Sequence, residues 1–447
     1  MNRKLILTFA LLFTMIGLAQ ETPERFSLEE AINYGLEHNR TAKNAALDIE
    51  AAIKQKWETT ATGLPQLNGS GSYTDFIKPQ LQVIPASAFG GPEGEFRAVN
   101  FALKQNMNLN ASLSQMIFDG SYLVGLQSAK VFLEISKNAK EKTDLEVRKS
   151  IINAYGNVLL AEESEKILKR NVDVLKKNLE EITAIYNSGL EEEESVEQLQ
   201  ITLSGVQSNL GNIIRLKSIA YQMLNIAIGK DINSKTTLTD NLESLTKQNI
   251  SLELLNVDET FENNIDYKIA LNDKTSKELL VKYEKSKALP SLNAALTGGY
   301  VSYSNDFSFF DSDQKYYGFG IFGLSLRIPI FSSGMRSAST QRARINFEKS
   351  KYMLTETEQK LKLGIVASKS DYQFAIEEYE NKKQNLKLAE RIEEKNQTKF
   401  FEGVASSFDL RQAQTQLYAS QQEYLQAMLD VINRKAALET ILNTIQN

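Results

Sequence analysis

The distribution of proline constrains this chain more than any other feature. Its seven prolines are Pro23, Pro65, Pro79, Pro85, Pro92, Pro290 and Pro329, and none lies within 122–229, 258–288 or 335–444. Proline costs about 3 kcal/mol in a helix interior, so these stretches, rich in Glu, Lys, Leu, Gln and Ala, predict helices. Interior glycines (Gly125, Gly156, Gly205, Gly211, Gly364) weaken the helices without breaking them. Residues 122–187 alone predict a helix of about 100 Å, at about 1.5 Å per residue. Globular domains seldom use such lengths. Leu168, Val172, Leu175, Leu179, Ile182 and Tyr186 alternate steps of 4 and 3, as do Val196, Leu199, Leu203, Val206, Leu210 and Ile213. That alternation is a coiled-coil seam. The turn Asn187-Ser188-Gly189-Leu190 separates the two runs, so they predict one antiparallel hairpin.

The chain also repeats itself. Gly63-Leu64-Pro65-Gln66-Leu67-Asn68 resembles Ala288-Leu289-Pro290-Ser291-Leu292-Asn293, and Ile117-Phe118-Asp119-Gly120 resembles Ile330-Phe331-Ser332-Ser333-Gly334. Gly189-Leu190 matches Gly403-Val404, and Leu203 and Gln207 match Leu417 and Gln421 at the same offset of 214. The first half predicts a medium helix (27–62), a polar and aromatic stretch (65–118), a very long helix (122–187) and a medium helix (194–229). The second half predicts 258–288, 290–331, 335–400 and 407–444 in the same order. So long a period is duplication of one large unit rather than a solenoid. The expected division is 20–230 for the first repeat, 231–251 for a connecting segment and 252–447 for the second repeat.

Between the helices the period changes to two. In 101–118 the odd positions are mostly apolar (Phe101, Leu103, Met107, Leu109, Leu113, Ile117) and the even ones polar (Asn106, Asn108, Asn110, Ser112, Ser114). In 318–331, Phe322, Leu324, Leu326, Ile328 and Ile330 share a face opposite Ser325 and Arg327. The stretches 65–74 and 290–301 read as shorter glycine-rich strands, joined to these through loops 75–100 and 304–317. This alternation fits lipid on one side and water on the other, and equally a half-buried strand in a soluble sheet. Outer-membrane barrels start at about eight strands, and an open edge cannot sit in lipid. Four membrane strands would therefore require several chains to share one barrel: two copies give eight strands and three give twelve, and strand physics does not choose.

Composition narrows the setting. Arg3 and Lys4, an apolar run from Leu5 to Leu18, and Gly17-Leu18-Ala19 predict a secretory signal peptide over 1–19. The run is short for a spanning helix, which needs about 20 apolar residues. The chain has no cysteine and one histidine, His38. These exclude a disulfide, a thiolate site or a cysteine nucleophile, and His38, in the polar stretch Glu37-His38-Asn39, reads as solvent-facing. Net charge is −5, and −7 once Arg3 and Lys4 are removed, which argues against nucleic acid as a partner. With no metal spacing, P-loop or nucleophile motif, neither enzyme nor cofactor is expected. A secreted periplasmic coiled-coil scaffold is the rival of a different class.

The repeat, the Leu-Pro-x-Leu junctions at 64–67 and 289–292, the Ile-Phe junctions at 117–120 and 330–334, the glycine turns at 189 and 403, and Phe26-Ser27-Leu28-Glu29-Glu30-Ala31-Ile32 together resemble the TolC-type outer-membrane efflux factor family over 24–444. The resemblance implies a mainly α, α+β fold: a homotrimer whose chains each give four strands to one 12-stranded transmembrane β-barrel in outer-membrane lipid, continued by a periplasmic α-barrel of coiled-coil helices. The medium helices would stack end to end against the long ones. It implies a passive exit duct fed by an inner-membrane pump (RND, ABC or MFS type) and a periplasmic adaptor, for small-molecule efflux or, alternatively, type I protein secretion.

The same resemblance points to sites. Adaptor docking would fall on the tips Gly189, Leu190, Gly403, Val404 and Ala405, where glycine also simply serves a sharp turn. Members often carry an acidic ring above the second tip. Here the candidates for a periplasmic gate are Glu390, Glu393 and Glu394, glutamates where the family shows aspartate, and a solvated helix face is the plainer account. Glu191, Glu192, Glu193 and Glu194 either form an acidic rim for a basic adaptor tip or favour the following helix dipole.

Overall fold

The structure is a computed structural model that describes residues 24–78, 80–257 and 260–443. The expected signal peptide, 1–19, lies outside the described residues. The elements in chain order are β1 (Glu24–Phe26), α1 (Leu28–His38), α2 (Arg40–Ala61), β2 (Gln66–Asp75), β3 (Gln82–Pro85), β4 (Phe96–Val99), β5 (Gln105–Asp119), α3 (Gly120–Asn187), α4 (Glu193–Ile228), β6 (Thr236–Leu238), α5 (Leu242–Gln248), α6 (Ile265–Ser286), β7 (Ser291–Ser304), β8 (Tyr317–Arg327), α7 (Met335–Phe401) and α8 (Ser407–Leu442). The chain is mainly α-helical, and α3 and α7 run for 68 and 67 residues. No helix among the described residues is long and apolar enough to cross a membrane. The residues fall into two compact units, one of Glu50–Glu134 and Asn272–Tyr352, the other of the remainder.

The first of these units carries a four-stranded antiparallel sheet in the order β2-β5-β7-β8. β2 and β8 pair on one side only within the chain, so both edges are open. Register sorts the side chains. One face carries Leu67; Leu109, Ala111 and Leu113; Leu292, Leu296 and Tyr300; and Phe322, Leu324 and Leu326. The other carries Asn68, Ser70 and Ser72, Asn106 to Ser114 at even positions, Asn293, Ser325 and Arg327, with Val301, Tyr303, Phe319 and Ile321 as its apolar members. The apolar side chains of the first face stay exposed, Phe322 at 68% and Leu324 at 63%. Three details differ from the expectation. The strand predicted from Phe101 begins at Gln105, the pairing skips Ile117 between Met116 and Phe118, and the loop 75–100 folds a small hairpin of β3 and β4.

The second unit is a bundle. Its main core joins Ile151, Tyr155, Val158 and Leu159 of α3 to Leu224 and Ile228 of α4, Ile365, Tyr372 and Tyr379 of α7, and Leu425, Val431 and Ile432 of α8. The connecting segment docks on this core. β6 pairs in parallel with β1. The buried Tyr155 hydroxyl donates to Asp240 Oδ2 (2.8 Å) and to the Phe26 carbonyl (3.0 Å). Asn225, buried at the end of α4, donates to the Ile232 and Ser234 carbonyls and accepts from Thr236 Oγ1.

The medium helix predicted over 27–62 is two helices, broken at Asn39, whose backbone is extended (φ −59°, ψ 133°). Its side-chain oxygen accepts from the Thr41 amide at 2.7 Å, starting α2, and its Nδ2 donates to the Ala227 carbonyl at 2.8 Å. The break is thus where the end of α4 meets the chain. His38 is half-buried rather than fully solvated: its ring stacks on Tyr34 with centroids 4.0 Å apart.

Candidate functional site: the two hairpin tips

Both tips lie in the bundle unit and share one backbone solution. Gly189 and Gly403 have φ of 75° and 73°, the left-handed region where a side chain is disfavoured. After Gly189, the Leu190 amide reaches back to the Ile185 carbonyl at 3.2 Å; after Gly403, the Val404 amide reaches the Lys399 carbonyl at 2.8 Å. In each case the glycine amide bonds the carbonyl three residues earlier, Tyr186 or Phe400. This is the Schellman stop that satisfies the last carbonyls of a helix. Leu190 and Val404 are left 80% and 74% exposed, while Ala405 is half-buried against the core beneath.

That core holds the hairpins together. Leu168, Val172, Leu175 and Ile182 of α3 interlock with Val196, Leu199, Leu203 and Val206 of α4, and with Phe400 of α7 and Leu410 of α8. Two polar rungs cross it. Asn171 and Asn178, seven residues apart on α3, are both buried; Asn171 Nδ2 donates to Gln421 of α8 at 2.8 Å, and Asn178 Oδ1 accepts from Gln397 of α7 at 3.1 Å. Buried polar residues at heptad spacing fix the register of coiled coils. Sequence reading missed these rungs; their heptad spacing beside the leucine seam was the available signal.

The tips differ in side chains. Glu192 caps α4 without a side-chain hydrogen bond, and Glu193 and Glu194 occupy the first turn, where carboxylates favour the dipole. Glu191 accepts from Ser195 Oγ and Glu194 from Gln198 Nε2, both at 2.6 Å. Glu192, Glu193 and Glu194 are exposed. The second tip has a capping box, Ser406 and Asp409 exchanging backbone-to-side-chain bonds at 3.0 and 3.2 Å. The Ser406 hydroxyl holds the Asp409 carboxyl below its usual range.

Glu390 and Glu394 are exposed on α7, but Glu393 is half-buried and interacts with Gln414 and Tyr418 of α8. Burial pushes its carboxyl above the usual range, with Glu394 adding to the shift and the Gln414 amide partly offsetting it. Tyr418 is raised in turn, by burial first and then by the charge of Glu393. Gln414 itself is fully buried.

An amphipathic four-stranded sheet that cannot close within one chain, in a polypeptide whose longest helices pair as hairpins with glycine tips, fits the class of outer-membrane channels. The model of the family described as outer membrane efflux protein matches residues 31–230 and 263–444, and the chain belongs to that family. The two matched segments correspond to its two halves. Among solved structures, CusC is similar at 18% identity, with a TM-score of 0.73 and 95% of each chain covered. VceC from Vibrio cholerae is similar at 17% identity and TM-score 0.71, covering 93% of this chain and 95% of its own. The Campylobacter jejuni CmeC outer membrane channel is similar at 18% identity and TM-score 0.71, covering 95% of this chain and 90% of its own. A search of curated protein sequences gave no significant match. Channels of this family are non-enzymatic ducts of the outer membrane, and they act as the outer-membrane components of efflux pumps, beside adaptor and inner-membrane pump proteins.

Proposed function

We propose that the protein is the exit duct of a tripartite efflux pump, a homotrimer that conducts small molecules passively from a pump and its periplasmic adaptor to the exterior. The observation that carries this reading is the sheet: four strands, two open edges, one exposed apolar face and one largely polar face. Lipid does not tolerate an open edge, so β2 of one copy pairs with β8 of the next, and three copies complete a twelve-stranded barrel. The two repeats, 20–230 and 252–447 about the segment 231–251, each supply two strands and one hairpin.

The tips take the adaptor. Leu190 and Val404 are its apolar contacts, with Gly189, Gly403 and Ala405 setting their geometry, and Glu191 to Glu194 form an acidic rim on one tip of each pair. Iris-like opening separates hairpins that the rungs at Asn171 and Asn178 hold together. In the closed state the exposed Glu390 and Glu394 face their copies across the pore and opening moves them apart, with Glu393 acting between α7 and α8. Small-molecule cargo is favoured over secreted protein by the efflux family itself. The test is the mass of the protein extracted from outer membranes, measured with detergent subtracted. Three chains are expected; a monomer that stays soluble without detergent would remove the barrel.

A further inference from the structure

The apolar face of the sheet fails at one end, and the way it is mended points to a second use for the loop between β7 and β8. At the strand ends away from the helices, this face presents polar groups: Gln105 pairs with Ser304, and Met107 with Ser302. Left bare in lipid, Gln105, Ser302 and Ser304 would each carry a desolvation cost. They are not bare. The loop 305–316 folds back over this same face: Ser302 is 0% exposed and Ser304 half-buried, while Gln105, 6% exposed, donates to Asp75 Oδ2 of β2 at 3.4 Å and keeps its Oε1 unpaired. Ser302 Oγ donates to the Lys315 carbonyl (2.8 Å) and receives Gln314 Nε2 (2.6 Å), while Ser304 Oγ meets Ser308 Oγ at 2.9 Å. Tyr316 anchors the fold, its hydroxyl donating to the Phe309 carbonyl at 2.6 Å and lying 3.7 Å from the Met107 sulfur. Phe309 is the loop's own core, and its ring packs edge-on against Tyr73 of the same face.

The side chains that the loop then turns outward are aromatic. Phe307 packs on Tyr73, Phe309 and Phe310, yet it stays 59% exposed and Phe310 stays 81% exposed. Polar strand surface has been exchanged for phenylalanine on the side that continues, through Leu109 and Tyr300, into the apolar band. We propose that loop 305–316 is a membrane anchor: Phe307 and Phe310 enter the acyl region of the surrounding bilayer at the outer rim of the barrel, instead of lining or plugging the channel mouth. The partner is lipid, recognised by burial of aromatic surface where barrels carry their aromatic girdles. This rests on the reading of the sheet as a transmembrane wall.

The chain has one tryptophan, Trp57, so position-specific fluorescence is available. In a Trp57→Phe background, Phe310→Trp and, as the control on the same face in mid-strand, Phe322→Trp would be reconstituted as the full-length assembly in vesicles of brominated phospholipid. Both tryptophans are expected to be quenched several-fold more by the brominated chains than by aqueous iodide. If Phe322→Trp is quenched by lipid and Phe310→Trp by iodide, the loop faces water and the anchor is overturned. If Phe310→Trp is reached by neither quencher, the loop is covered by a second copy, which equally overturns it. If Phe322→Trp also escapes the lipid quencher, the transmembrane reading beneath the proposal has failed.

Discussion

Gly403 gives the sharpest test of why the tips take their shape. A methyl group built on it meets nothing within 4 Å, so the substitution Gly403→Ala is opposed by backbone conformation alone. Holding alanine at φ near 73° costs about 1–2 kcal/mol. Against this, alanine loses less entropy than glycine on ordering, which returns about 0.4–1 kcal/mol. The net is about 1 kcal/mol, or about a fivefold rise in the population of the opened tip. Amide hydrogen exchange of the assembled channel reads it directly, because the Val404 and Ala405 amides both bond to the Lys399 carbonyl. Gly403→Asn should exchange nearly as slowly as the parent, since asparagine tolerates the left-handed region. Gly205→Ala supplies the opposite sign. Gly205 also has open space around it but lies inside α4, where alanine gains about 0.5–1 kcal/mol. Equal effects of Gly403→Ala and Gly403→Asn, or destabilisation by Gly205→Ala, would refute the backbone argument.

Three further outcomes are expected in the same region and in the core above it. Burial raises the Glu393 carboxyl, so the folded tip prefers its protonated form; that stability is full below the ordinary glutamate range and is lost as pH rises through the raised value. Tip amides should therefore open less in mild acid, after correction for intrinsic exchange, and Glu393→Gln should flatten the trend; an unchanged slope removes Glu393 as its source. Changing Glu191, Glu192, Glu193 and Glu194 together to glutamine should weaken binding of the adaptor at low salt without altering trimer mass, whereas unchanged binding at low salt would leave these acids a purely helix-capping role. Tyr155→Phe deletes a buried donor to the Asp240 carboxylate, a loss of about 1.5–3 kcal/mol that should lower the unfolding midpoint in detergent; a midpoint equal to the parent's would mean that the Leu28 amide, which also donates to Asp240, satisfies it alone.

Long-range periodicity makes much of this architecture legible, and features without a period are the ones it misses. Proline absence places α7 over 335–400, and the helix spans Met335–Phe401; the turn at 187–190 and the proline-free stretch to 229 place α4 over 194–229, with the seam inside it, and the helix spans Glu193–Ile228. Both signals act over many residues, so one misleading position changes little. The break at Asn39 leaves no such trace: neither proline nor glycine marks it, and its cause is a hydrogen bond to Ala227, 188 positions away. The hairpin of β3 and β4 escapes because each strand is only four residues long and sits among prolines. Glu393 and Glu394 are adjacent, and no composition rule distinguishes the one half-buried beside α8 from the one in solvent. The shielding of Gln105 and Ser302 is hidden for a further reason. On period alone those residues belong to a lipid-facing strand, and only the folded chain reveals how they are shielded.

The duplicated halves show how shape and specificity are held by different residues. Both tips keep the same left-handed glycine and the same backward hydrogen bond, so the turn has been preserved by main-chain geometry. That geometry does not dictate the side chains after the turn. One half continues with four glutamates and no side-chain cap; the other continues with the Ser406–Asp409 box and carries Lys399 and Arg411 nearby. The trimer proposed above would present six tips of one shape, three strongly acidic and three of mixed sign. A partner that reads shape alone could dock in either of two registers around the ring. A partner carrying complementary charge is restricted to one, because like charges set against the acidic tips are disfavoured. On the docking proposed above, the glycines would set the shape of the tip and the glutamates would choose the register, so the substitutions proposed for each should separate folding of the tip from recognition by it.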